Sequence, residues 1–331
     1  MNQLSVSGEK ARALHRFAVL TACATFFLIF IGGLVTSTGS ALAVPDWPLA
    51  FGKLIPAWEG GIRFEFGHRV AAGTVVVLTL VLMAWAWRAE PRRWVRKLVF
   101  IAFGLIIMQA VLGGITVLFE LPLAIAVTHA ATAQALFCLM VSIAIFTNPK
   151  WDSTPQVDEP ATRIPLATLA LATTAIVYLQ ILIGALMRHM SAGLVIPDFP
   201  LSFGQLVPPY WNEYIAINYA HRCGALVVTA MVLWTVARVI RMHRDTPALR
   251  RPALGMFLLL VLQICLGALT IWSGRSVLPT TSHVAIGAAV LAISLTLTIR
   301  ARKILGVPHR IGAAAPARTS VSGVVGNRVV A

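Results

Sequence analysis

The chain has 331 residues, of which 58% are hydrophobic and only 12% charged. A water-soluble domain carries about 25% charged residues, so an ordinary soluble fold is excluded, and the chain is far too apolar to be disordered. The net charge of +15 signals nucleic acid in a soluble protein and the basic bias of cytoplasmic loops in a membrane protein.

A membrane-spanning helix needs about 20 mostly apolar residues. Eight stretches qualify, in order 16–36, 64–87, 98–118, 124–146, 165–187, 214–237, 253–273 and 279–299. They are too long and too unalternating for barrel strands, so helices are expected. The first stretch follows Lys10, Arg12 and Arg16 and precedes Ala41-Leu42-Ala43, which imitates a secretory signal. It reads instead as a retained span, because it is long enough to cross and has a counterpart in the middle of the chain. Cys23, Cys138, Cys223 and Cys265 lie inside these runs without CxxC spacing and read as buried small hydrophobes.

Eight spans put both termini on one side. That side carries 21 Lys and Arg: three in 1–16, five in 88–97, two in 147–165, five in 238–252 and six in 300–331. The other side carries 6, balanced by 6 acidic residues. The imbalance predicts an integral inner-membrane protein with both termini cytoplasmic. The charge is thus a topology signal, and no nucleic-acid partner is expected. Residues 304–331 read as a disordered cytoplasmic tail.

The two long outer loops repeat one another. STGSALAVPDWPLAFGKLIP at 37–56 matches HMSAGLVIPDFPLSFGQLVP at 189–208, an offset of 152. His68-Arg69 answers to His221-Arg222 at 153, and Gln109, Gly113, Thr116 and His129 answer to Gln263, Gly267, Thr270 and His283 at 154. The expected fold class is therefore an all-α membrane protein of eight transmembrane helices, arranged as two tandem, parallel-repeat four-helix bundles. The N-terminal half spans 1–150, a polar linker 151–163 and the C-terminal half 164–303. An even number of spans per half gives both halves one orientation, which lowers the case for a transporter built from inverted repeats.

His68, His129, His221 and His283 fall near the outer ends of the even-numbered spans. An ionisable residue inside a span is a functional candidate, and two pairs at matched depth point to a shared ligand. Bundle interiors host cofactors between facing helices, and haem iron takes axial histidines from both sides of the ring. Zinc or copper would find only two histidines per half and no nearby cysteine. Arg69 and Arg222 can pair haem propionates or simply snorkel at the interface. Glu65, three residues before His68, shares its helix face. Asn218 takes that place in the second half, so Glu65 marks the first half for chemistry. Asp46 and Asp198 read as caps of short helices, Gln109 and Gln263 as interhelical glue, and Gly32-Gly33, Gly113-Gly114 and Gly267 as points of close approach. His15, His189, His243 and His309 are given no role.

Eight spans in two halves, one histidine on each even-numbered span, the Glu65-Phe66-Gly67-His68-Arg69 run and the paired loops together resemble the haem A synthase family over about residues 16–300. The resemblance implies oxidation of a porphyrin methyl of haem O to a formyl group, through successive hydroxylations, to give haem A for terminal oxidases. It implies that His68 and His129 flank the substrate haem, that His221 and His283 ligate a permanent haem b, and that Glu65 is the catalytic carboxylate. Haem O synthase and an electron-transfer partner are the implied contacts, with homo-oligomers open. Some bacterial members carry a cysteine pair in the first outer loop; this chain has no loop cysteine and cannot use such a pair. A di-haem b electron carrier and a transporter of a lipophilic substrate are the rival readings.

Overall fold

The computed structural model describes residues 2–159 and 162–305, with side chains from residue 8. The expected tail, beyond its first two residues, lies outside the described residues. The eight helices are α1 (Asn2–Ser37), α2 (Ile62–Ala89), α3 (Arg93–Leu118), α4 (Leu123–Phe146), α5 (Leu166–His189), α6 (Glu213–Met242), α7 (Pro247–Trp272) and α8 (Val277–Ile304). All eight are long and apolar enough to cross a membrane. Each overruns its apolar stretch because 24 to 36 residues at about 1.5 Å per residue exceed the roughly 30 Å hydrocarbon core. The ends are set locally. Asn212 caps α6 by accepting from Ile215 N at 2.8 Å, Pro247 opens α7, and Pro91 follows the end of α2.

Each set of four helices closes into a ring. In the first, α1 packs on α2, α2 on α3, α3 on α4 and α4 back on α1; α5 to α8 repeat the pattern. Each ring has its own core. Leu82, Val99, Met140 and Ile143 fill the first, and Leu166, Val232, Met256, Leu291 and Leu297 the second. Because lipid tails are as apolar as leucine, polar side chains add cohesion. Thr173 meets Thr235 at 2.8 Å, and Thr174 meets Ser294 at 2.8 Å and Thr298 at 2.9 Å. The rings join where α1 meets α8 and where α4 meets α5 and α8. The linker docks rather than dangling, with Val157 N donating to Ile304 O at 2.8 Å.

The cysteine expectation is corrected. Cys23, Cys223 and Cys265 are exposed on the bundle surface and only Cys138 is half-buried. Lipid-facing and core positions select the same apolar residues, so the sequence pattern did not separate them.

Candidate functional site

The loops 38–61 and 190–212 share one end of the molecule, the loop end. All four candidate histidines lie in the second or third turn from that end: His68 on α2, His129 on α4, His221 on α6 and His283 on α8. Each ring rests on a glycine of the preceding helix. A Cβ on Gly32 would stand 3.1 Å from His68 Cε1, on Gly113 3.4 Å from His129 Cε1, on Gly184 2.9 Å from His221 Cε1 and on Gly267 3.1 Å from His283 Cε1. A larger residue would push the imidazole away, so each odd-numbered helix offers bare backbone to the histidine that follows it. Gly184 went unnoticed in the sequence, although its offset of 152 from Gly32 marks it.

Glutamines hold three of the rings. Gln180 Nε2 lies 3.0 Å from His221 Nδ1 and donates to the His221 carbonyl at 2.8 Å. With its amide oxygen turned to Thr132 and Ala133, Gln109 places its NH₂ 2.9 Å from His129 Nδ1. His283 Nδ1 donates to the Gln263 backbone carbonyl at 3.1 Å, which puts the ring's lone pair on Nε2, 3.4 Å from the Gln263 amide nitrogen. Gln109 is thus a ring-orienting residue as well as a link between helices, and Gln263 holds His283 through its backbone. His68 Nδ1 is buried with no partner, because Leu28 stands where the second half has Gln180. The His221 and His283 ring centres are 6.5 Å apart with their planes at 72°. Among the described residues no cluster of three or more His, Cys, Asp or Glu side chains could hold a bare metal ion.

The loops are knitted to α2 and α6. Asp46 accepts from Phe51 N at 2.7 Å and Gly52 N at 2.8 Å; Asp198 accepts from Phe203 N and Gly204 N at the same distances. The N–H of Gly52, then that of Phe51, hold the Asp46 carboxyl below its usual range. For Asp198 the larger contribution comes from Gly204. Phe51 and Gly52 sit at φ 54° and 71°, and Phe203 and Gly204 at 58° and 76°. A left-handed turn cannot open a helix, so these aspartates close turns and do not cap short helices. The one short helix there, Ala192–Leu194, precedes Asp198.

Arg69 reaches Asp46 O (2.7 Å), Leu49 O (2.9 Å), Val44 O (3.0 Å) and Glu65 Oε1 (2.7 Å). Arg222 reaches Asp198 O (2.8 Å), Leu201 O (2.7 Å), Ile196 O (3.0 Å) and Asn218 Oδ1 (2.9 Å). Both guanidiniums are thereby committed to the loops. Glu65, buried at 4% exposure, also accepts from Val44 N at 2.7 Å. Asn218 instead donates, to Ala192 O at 2.8 Å. One position therefore fastens both loops, with a charge only in the first half. Trp47 lies flat on α3, where a Cβ on Gly114 would come within 2.6 Å of its ring.

The family model for COX15-CtaA, cytochrome oxidase assembly protein, matches residues 15–295. The chain belongs to the COX15-CtaA family. Members similar to it include the Heme A synthase of Symbiobacterium thermophilum, 30% identical over 78% of this chain and 85% of that protein. The Heme A synthase of Geobacillus kaustophilus is 27% identical over 92% and 98%, and that of Staphylococcus saprophyticus 30% identical over 76% and 84%. The COX15-CtaA match reaches all eight helices and takes in every histidine pair, glycine seat and glutamine described above. Of the histidines given no role, His15 Nδ1 meets Ala144 O at 3.0 Å, His243 is buried at the end of α6, and His309 lies outside the described residues. His189 is the last residue of α5.

Proposed function

We propose that this membrane protein is a haem A synthase, an oxidoreductase that converts a porphyrin methyl of haem O into the formyl group of haem A. The observation that carries the reading is the glycine-seated histidine, repeated four times at one end of the bundle, in a chain whose relatives of nearly equal length are haem A synthases. The second pair suits a single iron. Two metal–imidazole bonds of about 2 Å, with each ring centre roughly 1 Å beyond its nitrogen, ask for centres about 6 Å apart, close to the 6.5 Å found.

We assign the resident haem b to residues 164–303, on His221 and His283, and the substrate haem O to residues 1–150, between His68 and His129. The polar support of the rings favours this order. His221 and His283 each have a polar partner at Nδ1, and for His283 it is a backbone carbonyl, the acceptor that a ligating ring requires. His68 has no such support, which suits a ring that must release its product. Bound haem b supplies one-electron redox chemistry. The residues do the rest. The Val44 N–H on Oε2 and the Arg69 guanidinium on Oε1 hold the Glu65 carboxylate in place, and this carboxylate takes a proton released as the methyl is oxidised. Electrons leave to a redox partner, and haem O synthase is the supplier of substrate. The excess of 21 basic residues against 6 orients the termini to the cytoplasm and the haem sites to the outer face.

Membranes holding this chain together with a haem O source should yield haem A on extraction. A non-catalytic carrier would yield only haem O and haem b, and a transporter would purify without a Soret band; either result overturns the reading.

A further inference from the structure

Two more arginines stand at the loop end, and the loops do not use them. Arg188, near the end of α5, reaches across to α1, where its Nη2 donates to the Gly33 carbonyl at 3.1 Å and the Ser37 hydroxyl at 2.8 Å. Ser37 also receives the Thr281 hydroxyl at 2.9 Å, and Thr281 lies two residues before His283 on α8. Arg188 therefore sits where α1, α5 and α8 meet, beside a candidate iron ligand. Its Nε is buried without a partner. A second cation, Arg275, stands on the turn between α7 and α8. The Arg275 side chain packs along Gly193, 3.7 Å from where a Cβ would stand. Among the described residues the ion pairs are Arg69–Glu65, Arg92–Glu90, Arg92–Asp152 and Arg244–Asp245; neither Arg188 nor Arg275 has a carboxylate.

A buried cation without a counter-ion is costly to hold. Arg188, joined to the frame by neutral acceptors only, and the half-buried Arg275 at the same end of the second half suit an anion that the described residues do not provide. The first half has no equivalent. The match of Gly184 with Gly32 sets Thr36 opposite Arg188. The left-handed turn Gly274-Arg275, at φ 60° and 66°, repeats Glu120-Leu121 at 56° and 61°, which sets Leu121 opposite Arg275.

We propose that Arg188 and Arg275 are the anion clamp of the second half and take the two propionate carboxylates of the haem held by His221 and His283. This rests on the assignment of a resident haem to that half. Arg69 and Arg222, alike in both halves, fasten loops; Arg188 and Arg275, present in one half, tell a haem that stays from one that leaves. Guanidinium is suited to the task by its paired N–H donors.

The test uses the full chain carrying His68→Ala, expressed under haem limitation and placed in nanodiscs of neutral lipid. It is titrated with haem b and with haem b dimethyl ester, whose propionates carry no charge. The chain with both arginines should favour haem b over the diester by about tenfold to a hundredfold, the worth of a charged hydrogen bond. Arg188→Gln and Arg275→Gln should weaken haem b by that factor and leave the diester unchanged, so that the double variant no longer distinguishes the two. Arg188→Lys should recover part of the preference. Variants that bind haem b unaltered, or lose both ligands equally, overturn the clamp. So does an effect seen only when anionic lipid is added, which would assign the arginines to a lipid phosphate. Failure of the haem assignment reads differently: the His68→Ala chain would take up no haem, or keep its spectrum when His221 and His283 are also replaced by alanine.

Discussion

Glu65 and Asn218 occupy one position in the two halves, and both tie a helix to its loop. The difference between them is the ability to hold a proton. Glu65→Gln keeps an oxygen for Arg69 or Val44 and so should retain haem, while turnover of haem O falls about a hundredfold or more; comparing haem content with haem A yield checks this, and an undiminished yield removes Glu65 from the chemistry. The histidines and Glu65 were legible in the sequence because each histidine recurs at a fixed offset and Glu65 precedes one. Gln180 and Arg188 were not. A repeat displays what is shared, whereas these two are opposed by Leu28 and Thr36 and vanish from the comparison. Only the contacts to His221 and to Ser37 give them a part.

The helices act as seats as much as walls. Each glycine seat removes one side chain from an odd-numbered helix so that an imidazole can lie against its backbone. The seats are not equally tight: 2.9 Å at Gly184 but 3.4 Å at Gly113. Overpacking costs about 1–3 kcal/mol, so Gly184→Ala should displace His221 and reduce retention of the haem proposed for the second half about tenfold or more. Gly113→Ala should be tolerated with little change. Optical titration of the two variants decides it, and equal behaviour would mean that the rings are not held by their seats. The helices themselves were foreseen in number and order. Their ends were not, because a helix continues into the headgroup region after its apolar run stops. Thus α6 continues to Met242, although its apolar stretch closes at 237.

At the scale of the molecule, charge separates the two ends. A cysteine placed at Leu54, 82% exposed at the loop end, should react with a membrane-impermeant maleimide in spheroplasts. One placed at Asp152, on the opposite end, should react only after lysis; the reverse order would invert the topology. The division into two rings was foreshadowed by the repeated loops, but their joining was not, since α1, α4, α5 and α8 are apolar on every side and show no seam. That seam contains the step Gly32-Gly33. Gly32 backs the His68 ring, while Gly33 faces Thr281 and Val284 of α8, whose side chains would lie 3.6 Å and 3.5 Å from its Cβ. Adjacent residues of α1 thus belong to different halves, and the partition there is bare helix backbone, on the order of 5 Å across its Cα cylinder. Were haems held on both sides as proposed, electrons would cross this partition without a diffusing carrier, over a gap set by helix packing and indifferent to the fluidity of the bilayer.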